Sequence, residues 1–170
     1  KYNAKLSVFL NVVKGSFTGL LHIGSCSGQF FPCFICGKGN LDAALNETAG
    51  YTQLEFVSAE LPDVFACADL VLSRAGSNAL MEFQALARPL LLVPYPKGAS
   101  RGDQILNANS FKKQGYSTVL EEETVTDETL YDAITETYEN RHAFIETMEK
   151  SQLNNAVDTI MQLINQYAGN

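Results

Sequence analysis

The residues best suited to chemistry are concentrated between Ala68 and Ala108. There Ser73-Arg74-Ala75-Gly76-Ser77-Asn78 joins a short apolar run, Leu70 to Leu72, to an amphipathic one, Asn78 to Ala87. Gly76 allows a tight strand-to-helix turn. The free amides of the next helix then point outward, where an anion gains from the donors and from the helix dipole. A diphosphate suits that place. Arg74 offers it charge-assisted contacts, or else ties down the turn as a structural arginine. Ser77 is an N-cap, a phosphate contact, or both, and Asn78 shares its position at the turn.

Further along, Ala79, Leu80, Phe83, Leu86 and Ala87 form the apolar face of that helix at ~100° per residue. Glu82 lies off its edge, on the side of Asn78. A carboxylate there can accept two hydrogen bonds from a ribose diol, although in isolation it reads as a solvated helix glutamate. The segment Lys97 to Gly102 is a flexible loop carrying two cations, Lys97 and Arg101, and either approaches a sugar or phosphate or is a plain solvated basic loop. Asp103 and Gln104 open the next helix, where Asp103 doubles as a first-turn carboxylate.

The elements that must position these groups are set by the apolar runs. Leu70 to Ser73 and Pro89 to Val93 are short and continuous, with an amphipathic crossover between them, which predicts buried parallel strands. Ligands of such sheets sit outside the carboxyl ends of the strands, so both polar loops are expected to face one crevice. Phe30 to Cys36 reads as a strand with Pro32 an awkward member. Gly37-Lys38-Gly39-Asn40 then turns, either as a lining of the cleft or as a plain connection. A short turn or helix is expected at Leu41 to Leu45, a strand at Thr52 to Val57, and a helix from Leu61 to Ala66 capped by Ser58. Ser117 to Leu120 is a last strand. Glu121 to Glu123 reads as a solvated acidic loop, and Thr126 caps a helix. A further helix spans Arg141 to Lys150, with His142 at the surface. The stripe Leu153, Ala156, Val157, Ile160, Leu163, Ile164 and Tyr167 is read as packing.

Ser73-Arg74-Ala75-Gly76-Ser77-Asn78, then Glu82, Asp103-Gln104 and Asn107-Ala108, resemble the donor half of the MurG family. These are the undecaprenyldiphospho-muramoylpentapeptide β-N-acetylglucosaminyltransferases of peptidoglycan synthesis. Ile35-Cys36-Gly37-Lys38-Gly39-Asn40 and Ser100-Arg101-Gly102-Asp103-Gln104 are most similar to its clostridial and related Gram-positive branch. The resemblance runs from about Phe34 to about Tyr167. It implies a Rossmann-like α/β domain, a parallel sheet with flanking helices, forming the C-terminal half of a GT-B glycosyltransferase. It implies that this half binds UDP-GlcNAc and that an N-terminal domain brings the lipid-linked acceptor and the catalytic base. The reaction implied is inverting transfer of GlcNAc to undecaprenyl-diphospho-muramoylpentapeptide (lipid I), giving lipid II. By the same resemblance Arg74, Gly76, Ser77 and Asn78 serve the diphosphate and Glu82 the ribose. Asp103 and Gln104 serve the sugar hydroxyls, with Gly37, Val57, Lys97 and Arg101 as additional candidates, Val57 through its backbone near the uracil.

The family opens this domain with a strand, a glycine-rich loop and a helix. Here Ser7 to Asn11 resembles the segment just after that loop, but Asn3-Ala4-Lys5-Leu6 lacks the loop's glycines. The family's pattern implies a helix over Val12 to Gln29, but Gly15, Gly19, Gly24 and Gly28, at ~1 kcal/mol each, speak against a regular one and for a loop, a disordered or an altered segment. Residues 1–29 are therefore atypical.

At 170 residues the chain is read as one domain, residues 1–170, long enough for a core. A two-domain transferase would need roughly twice that, so an excised or truncated half is expected, without its acceptor domain. A net charge of −7 speaks against nucleic acid as a partner. No run of ~18 apolar residues predicts a membrane span, and no secretory signal precedes the first strand. Cys33 and Cys36 have CxxC spacing without a second pair, so the four cysteines, Cys26, Cys33, Cys36 and Cys67, are expected as buried reduced thiols. That fits the cytoplasm, at the inner membrane face for the full-length protein. No Ser/His/Asp or Cys/His set and no paired metal ligands are visible. No catalytic residue is therefore assigned, and no metal or cofactor is expected. A UDP-GlcNAc 2-epimerase-like enzyme and a non-catalytic nucleotide-sugar-binding module remain as alternatives. No GxGxxG occurs after a first strand, which speaks against dinucleotide binding.

Overall fold

Apolar runs of three to seven residues supply the strands of a single six-stranded sheet. The computed structural model describes residues 18–24, 29–98, 101–151 and 156–168. The strands are β1 (Thr18–Gly24), β2 (Gln29–Ile35), β3 (Thr52–Leu54), β4 (Leu70–Ser73), β5 (Leu90–Leu92) and β6 (Ser117–Val119), in the spatial order β3-β2-β1-β4-β5-β6. The helices are α1 (Leu61–Ala66), α2 (Ser77–Ala85), α3 (Asp103–Gln114), α4 (Asp127–Glu139), α5 (Arg141–Glu149) and α6 (Ala156–Ala168).

Strands β4, β5 and β6 are mutually parallel, as are β2 and β3. The expectation of a parallel sheet with flanking helices holds for these five. It fails at β1, which runs antiparallel to both neighbours, with Thr18 opposite Ile35 on one side and Ser73 on the other. Of the segment Val12 to Gln29, where the family pattern implies a helix, residues 18–24 form this strand and Gln29 begins β2. Only residues 25–28 separate β1 from β2, and a parallel return needs a crossover of about a dozen residues or more. A link that short can only make a hairpin. The expected positions of the glycine-loop remnant at Asn3 to Leu6, the run Ser7 to Asn11, Cys26 and Leu153 lie outside the described residues. Pro32 is tolerated in β2 because β3 pairs only from Cys33 onward, so Pro32 has a hydrogen-bonding neighbour on one side alone.

Side chains alternate across the sheet with the two-residue period of a strand. Val71, Leu90 and Leu92 face one layer, where Phe65 of α1, Leu80 and Phe83 of α2, and Phe111 of α3 close over them. Leu70, Leu72, Leu91 and Val93 face the other, covered by Leu130, Ala133 and Ile134 of α4. Burial on both faces explains why β4 and β5 read as unbroken apolar runs. Cysteine placement is looser than expected. Cys33 and Cys36 are half-buried and Cys67 is exposed, all as free thiols, because Cys67 ends α1 at the rim rather than inside a layer.

Local signals set the element ends. Thr126 caps α4 in a reciprocal box with Thr129. Gly115 ends α3 at φ 76°, with Lys112 and Lys113 in the last turn. Ser58 does not cap α1; Glu60 stands at that position without a side-chain cap, and Pro at the helix start takes the place of an amide needing one. His142 is exposed, as expected. The α6 stripe departs from the packing reading. Ile160, Leu163 and Ile164 are about half exposed and Tyr167 is 73% exposed, so α6 leaves much of its apolar face uncovered by this domain.

Candidate functional site

A crevice of about 380 Å³ opens at the carboxyl ends of the strands. The end of β2 contributes Ile35 and Gly37, and the exit of β3 contributes Glu55 and Phe56. Ser73, Arg74 and Gly76 come from the turn after β4, with Ala79 behind them on α2. Tyr95 arrives from the exit of β5 and Gln104 from the first turn of α3. Of the residues singled out in the sequence, Gly37, Arg74, Gly76 and Gln104 therefore meet in one cleft. The turn after β4 lines the crevice as expected; the second polar loop, Lys97 to Gly102, contributes none of its described residues to it, and only the flanking Tyr95 and Gln104 reach it.

The turn after β4 is built to leave amides free. Gly76 is the N-cap of α2, in extended conformation. The first backbone bond of the helix is Leu80 N–H to the Gly76 carbonyl at 3.0 Å. The amides of Ser77, Asn78 and Ala79 precede it and have no acceptor within the helix. Ser77 is the first helical residue rather than the cap, because Gly76 occupies the cap position. Asn107 of α3 braces the turn from behind, its Nδ2 donating to the Ala75 carbonyl at 3.0 Å.

Arg74 is engaged rather than open. It is only 8% exposed. Its Nη1 donates to the Val93 carbonyl at 3.0 Å and makes an ion pair with the Glu122 carboxylate. Its guanidinium lies 4.1 Å over the Tyr95 ring. This is the structural-arginine reading, with one face still on the crevice. Glu121 to Glu123 is accordingly more than a solvated loop: a short 3-10 turn at Glu122–Thr124 holds Glu122 half-buried against Arg74.

The other expected residues are not among those that line the crevice. Ser77, Asn78 and Glu82 are exposed on α2, and Asp103 is exposed at the start of α3. Gln104 accepts the Tyr95 N–H through Oε1 at 3.1 Å. Lys97 is exposed and lines a neighbouring pocket of about 390 Å³ with Glu121, Glu122 and Glu123. Arg101 is exposed, and Val57 is half-buried next to the crevice residue Phe56. The loop after β2 is fastened by the Gly39 N–H, which donates to Glu55 Oε1 at 2.5 Å.

Sequence reasoning missed Phe56, Tyr95 and Glu122. Phe56 is 77% exposed at the mouth of the cleft, a free ring face of the kind on which a base stacks. Its signal was an aromatic one residue before Val57 in a loop leaving a carboxyl end. Among the described residues no cluster of His, Cys, Asp and Glu could hold a metal, and no helix is long and apolar enough to cross a membrane.

Residues 26–164 match the family model of the glycosyltransferase family 28 C-terminal domain. The chain belongs to that family. It is 45% identical over 161 residues to a Lachnospira eligens protein, covering 90% of this chain and 46% of the relative. It is 52% identical over 133 residues to one from Clostridium botulinum, covering 78% and 38%. Both relatives are named UDP-N-acetylglucosamine–N-acetylmuramyl-(pentapeptide) pyrophosphoryl-undecaprenol N-acetylglucosamine transferase. Among solved structures, Acinetobacter baumannii MurG superposes with a TM-score of 0.60 at 26% identity, over 77% of this chain and 40% of that one. The calicheamicin glycosyltransferase CalG4, at TM-score 0.56 and 18% identity, shares the fold. The resemblance to the MurG family and the GT-B half-fold are thus borne out. The chain spans about half or less of the length of these relatives.

Proposed function

We propose that this chain is the UDP-GlcNAc-binding half of an inverting glycosyltransferase that adds GlcNAc to undecaprenyl-diphospho-muramoylpentapeptide, forming lipid II. The reading is carried by the crevice at the strand ends, where the free amides of α2 meet the turn Arg74 to Gly76 and Gln104, in a chain similar to relatives named for this transfer. The diphosphate takes the amides of Ser77, Asn78 and Ala79, where donors and dipole favour negative charge. Glu82 accepts from the ribose diol, Phe56 stacks on the base, and Gln104 with Asp103 addresses the sugar hydroxyls. Gly37 and Val57 border the base, and Lys97 and Arg101 attend the phosphates from the loop. Holding the donor and stabilising the departing UDP is this half's share of catalysis. The acceptor hydroxyl attacks the anomeric carbon, and a base carried by an acceptor domain removes its proton. The reading calls for no metal and places the whole enzyme at the cytoplasmic face of the membrane.

Calorimetric titration with UDP-GlcNAc and with UDP tests it. Saturable binding of both is expected. Glu82→Ala should weaken it by about 1–3 kcal/mol, the range for losing a charged hydrogen-bonding partner, while leaving the melting temperature unchanged, since Glu82 is exposed. A folded chain that takes up neither ligand would sink the donor-site reading.

One observation favours a second reading, a nucleotide-sugar-binding module without turnover. Because β1 is antiparallel, it presents Thr18, its amino end, beside Ser73 and Ile35, so no loop leaves its carboxyl end on the crevice side. Donor binding without release of UDP, in the presence of lipid-linked acceptor and an acceptor domain from a relative, would select it.

A further inference from the structure

Glu122 stands outside the crevice, yet it holds a residue that lines it. Three connections meet at Arg74: its own turn after β4, the exit of β5 at Val93 and Tyr95, and the 3-10 turn after β6 that carries Glu122. Tyr95 passes the contact on, because its amide is bonded to Gln104 Oε1. A carboxylate 48 residues away in sequence from Arg74 is thus linked, through one guanidinium and one ring, to both the diphosphate turn and the first turn of α3.

We propose that Glu122 is a positioning residue for the nucleotide sugar, acting through Arg74 and Tyr95. The inference rests on the donor-site reading above. A guanidinium buried this deeply relies on charged partners, and removing the Glu122 carboxylate takes one of them away. With Glu122 in place Arg74 is a fixed planar plate. Tyr95 packs on it, and the backbone of Tyr95 is fixed in turn. Gln104 is then held by its oxygen, which leaves its Nε2 hydrogens for an oxygen of the ligand. The positive charge of Arg74 is largely matched inside the protein, so the anion is carried mainly by the α2 amides. Lysine could not substitute in this role, because a point charge neither stacks nor forks.

The test uses the whole chain with Glu122→Gln, Arg74→Lys and, as a control on the same turn, Glu123→Gln, whose side chain is exposed. Two quantities are read: amide hydrogen exchange at Tyr95 without ligand, and calorimetric affinity for UDP-GlcNAc and UDP. In Glu122→Gln the Tyr95 amide exchanges faster, while α4 amides at Leu130 to Ile134 keep their protection. UDP-GlcNAc binds about tenfold more weakly, and the preference for UDP-GlcNAc over UDP narrows, which a general loss of stability would not produce. Arg74→Lys repeats this result and decides the matter if Glu122→Gln does not fold; Glu123→Gln behaves as the parent. Unchanged Tyr95 exchange, or unchanged or tighter UDP-GlcNAc binding in Glu122→Gln, would overturn the proposal. Should the parent chain bind neither nucleotide, the donor-site reading falls, and the exchange at Tyr95 still judges the link from Glu122 through Arg74 to Tyr95.

Discussion

Asn107 Nδ2 and the Ala75 carbonyl lie 3.0 Å apart, joining the second turn of α3 to the loop that leaves β4. Both elements line the crevice, through Gln104 and through Ser73, Arg74 and Gly76, and this bond ties them to each other. Asn107 is half-buried, and deleting its side chain leaves the Ala75 carbonyl short of a donor. Asn107→Ala is expected to cost about 1–2 kcal/mol in urea denaturation and to weaken UDP binding as well. Loss of stability with unaltered UDP affinity would show that the turn keeps its shape without the brace.

Thiol chemistry should separate the cysteines by position. Burial pushes the Cys33 thiol up, with the neighbouring Cys36 adding to it, and burial raises Cys36 too. Only the thiolate is nucleophilic, so both are slow at neutral pH. Cys67 is exposed. Among the three described cysteines, alkylation near neutral pH with subsequent peptide mass mapping is expected to modify Cys67 first, with Cys33 and Cys36 slower by about tenfold or more. Cys33 reacting as fast as Cys67 would contradict the burial.

Much of this architecture was legible because it depends on nearest neighbours in sequence. Unbroken apolar runs gave β4 and β5, Thr126 gave the start of α4, and Gly115 gave the end of α3. The direction of β1 was legible in principle, since four residues between Gly24 and Gln29 forbid a crossover, but the glycines there weigh against a helix without announcing a hairpin. Glu122 was not legible. In sequence it is the middle of an acidic triplet, and nothing local marks which glutamate meets a buried arginine from another strand end. The uncovered face of α6 was also out of reach, because an apolar stripe specifies that a helix packs without specifying against what.

Tyr51 should hold its phenolic proton to high pH. Burial first, then the nearby Cys36, Asp42 and Cys33, push its phenol up from 10 to about 12. The folded chain therefore holds this proton more tightly than the unfolded chain does. The resulting stability is complete below about pH 10 and is lost as pH climbs from there to about 12. Phenolate absorbance during alkaline titration should show a late component, which Tyr51→Phe removes. A late component that survives the substitution would assign the perturbed phenol elsewhere.

The end of α2 predicts a stabilising change. Ala87 has φ 48°, the left-handed conformation that favours glycine. The backbone around it forms a double C-terminal cap: Ala87 N–H donates to the Gln84 carbonyl and Arg88 N–H to the Phe83 carbonyl, both at 3.0 Å. The left-handed turn is thus imposed by the hydrogen bonds, and Ala87 bears the steric cost of its Cβ, roughly 1–2 kcal/mol. Glycine removes that cost. It also gives the unfolded chain more freedom and deletes a methyl that packs beside the core under α2. The balance favours Ala87→Gly by about 0.5–1 kcal/mol, read as a higher urea midpoint at unchanged slope. A lower midpoint would mean that the methyl's packing against the core outweighs the relief of strain.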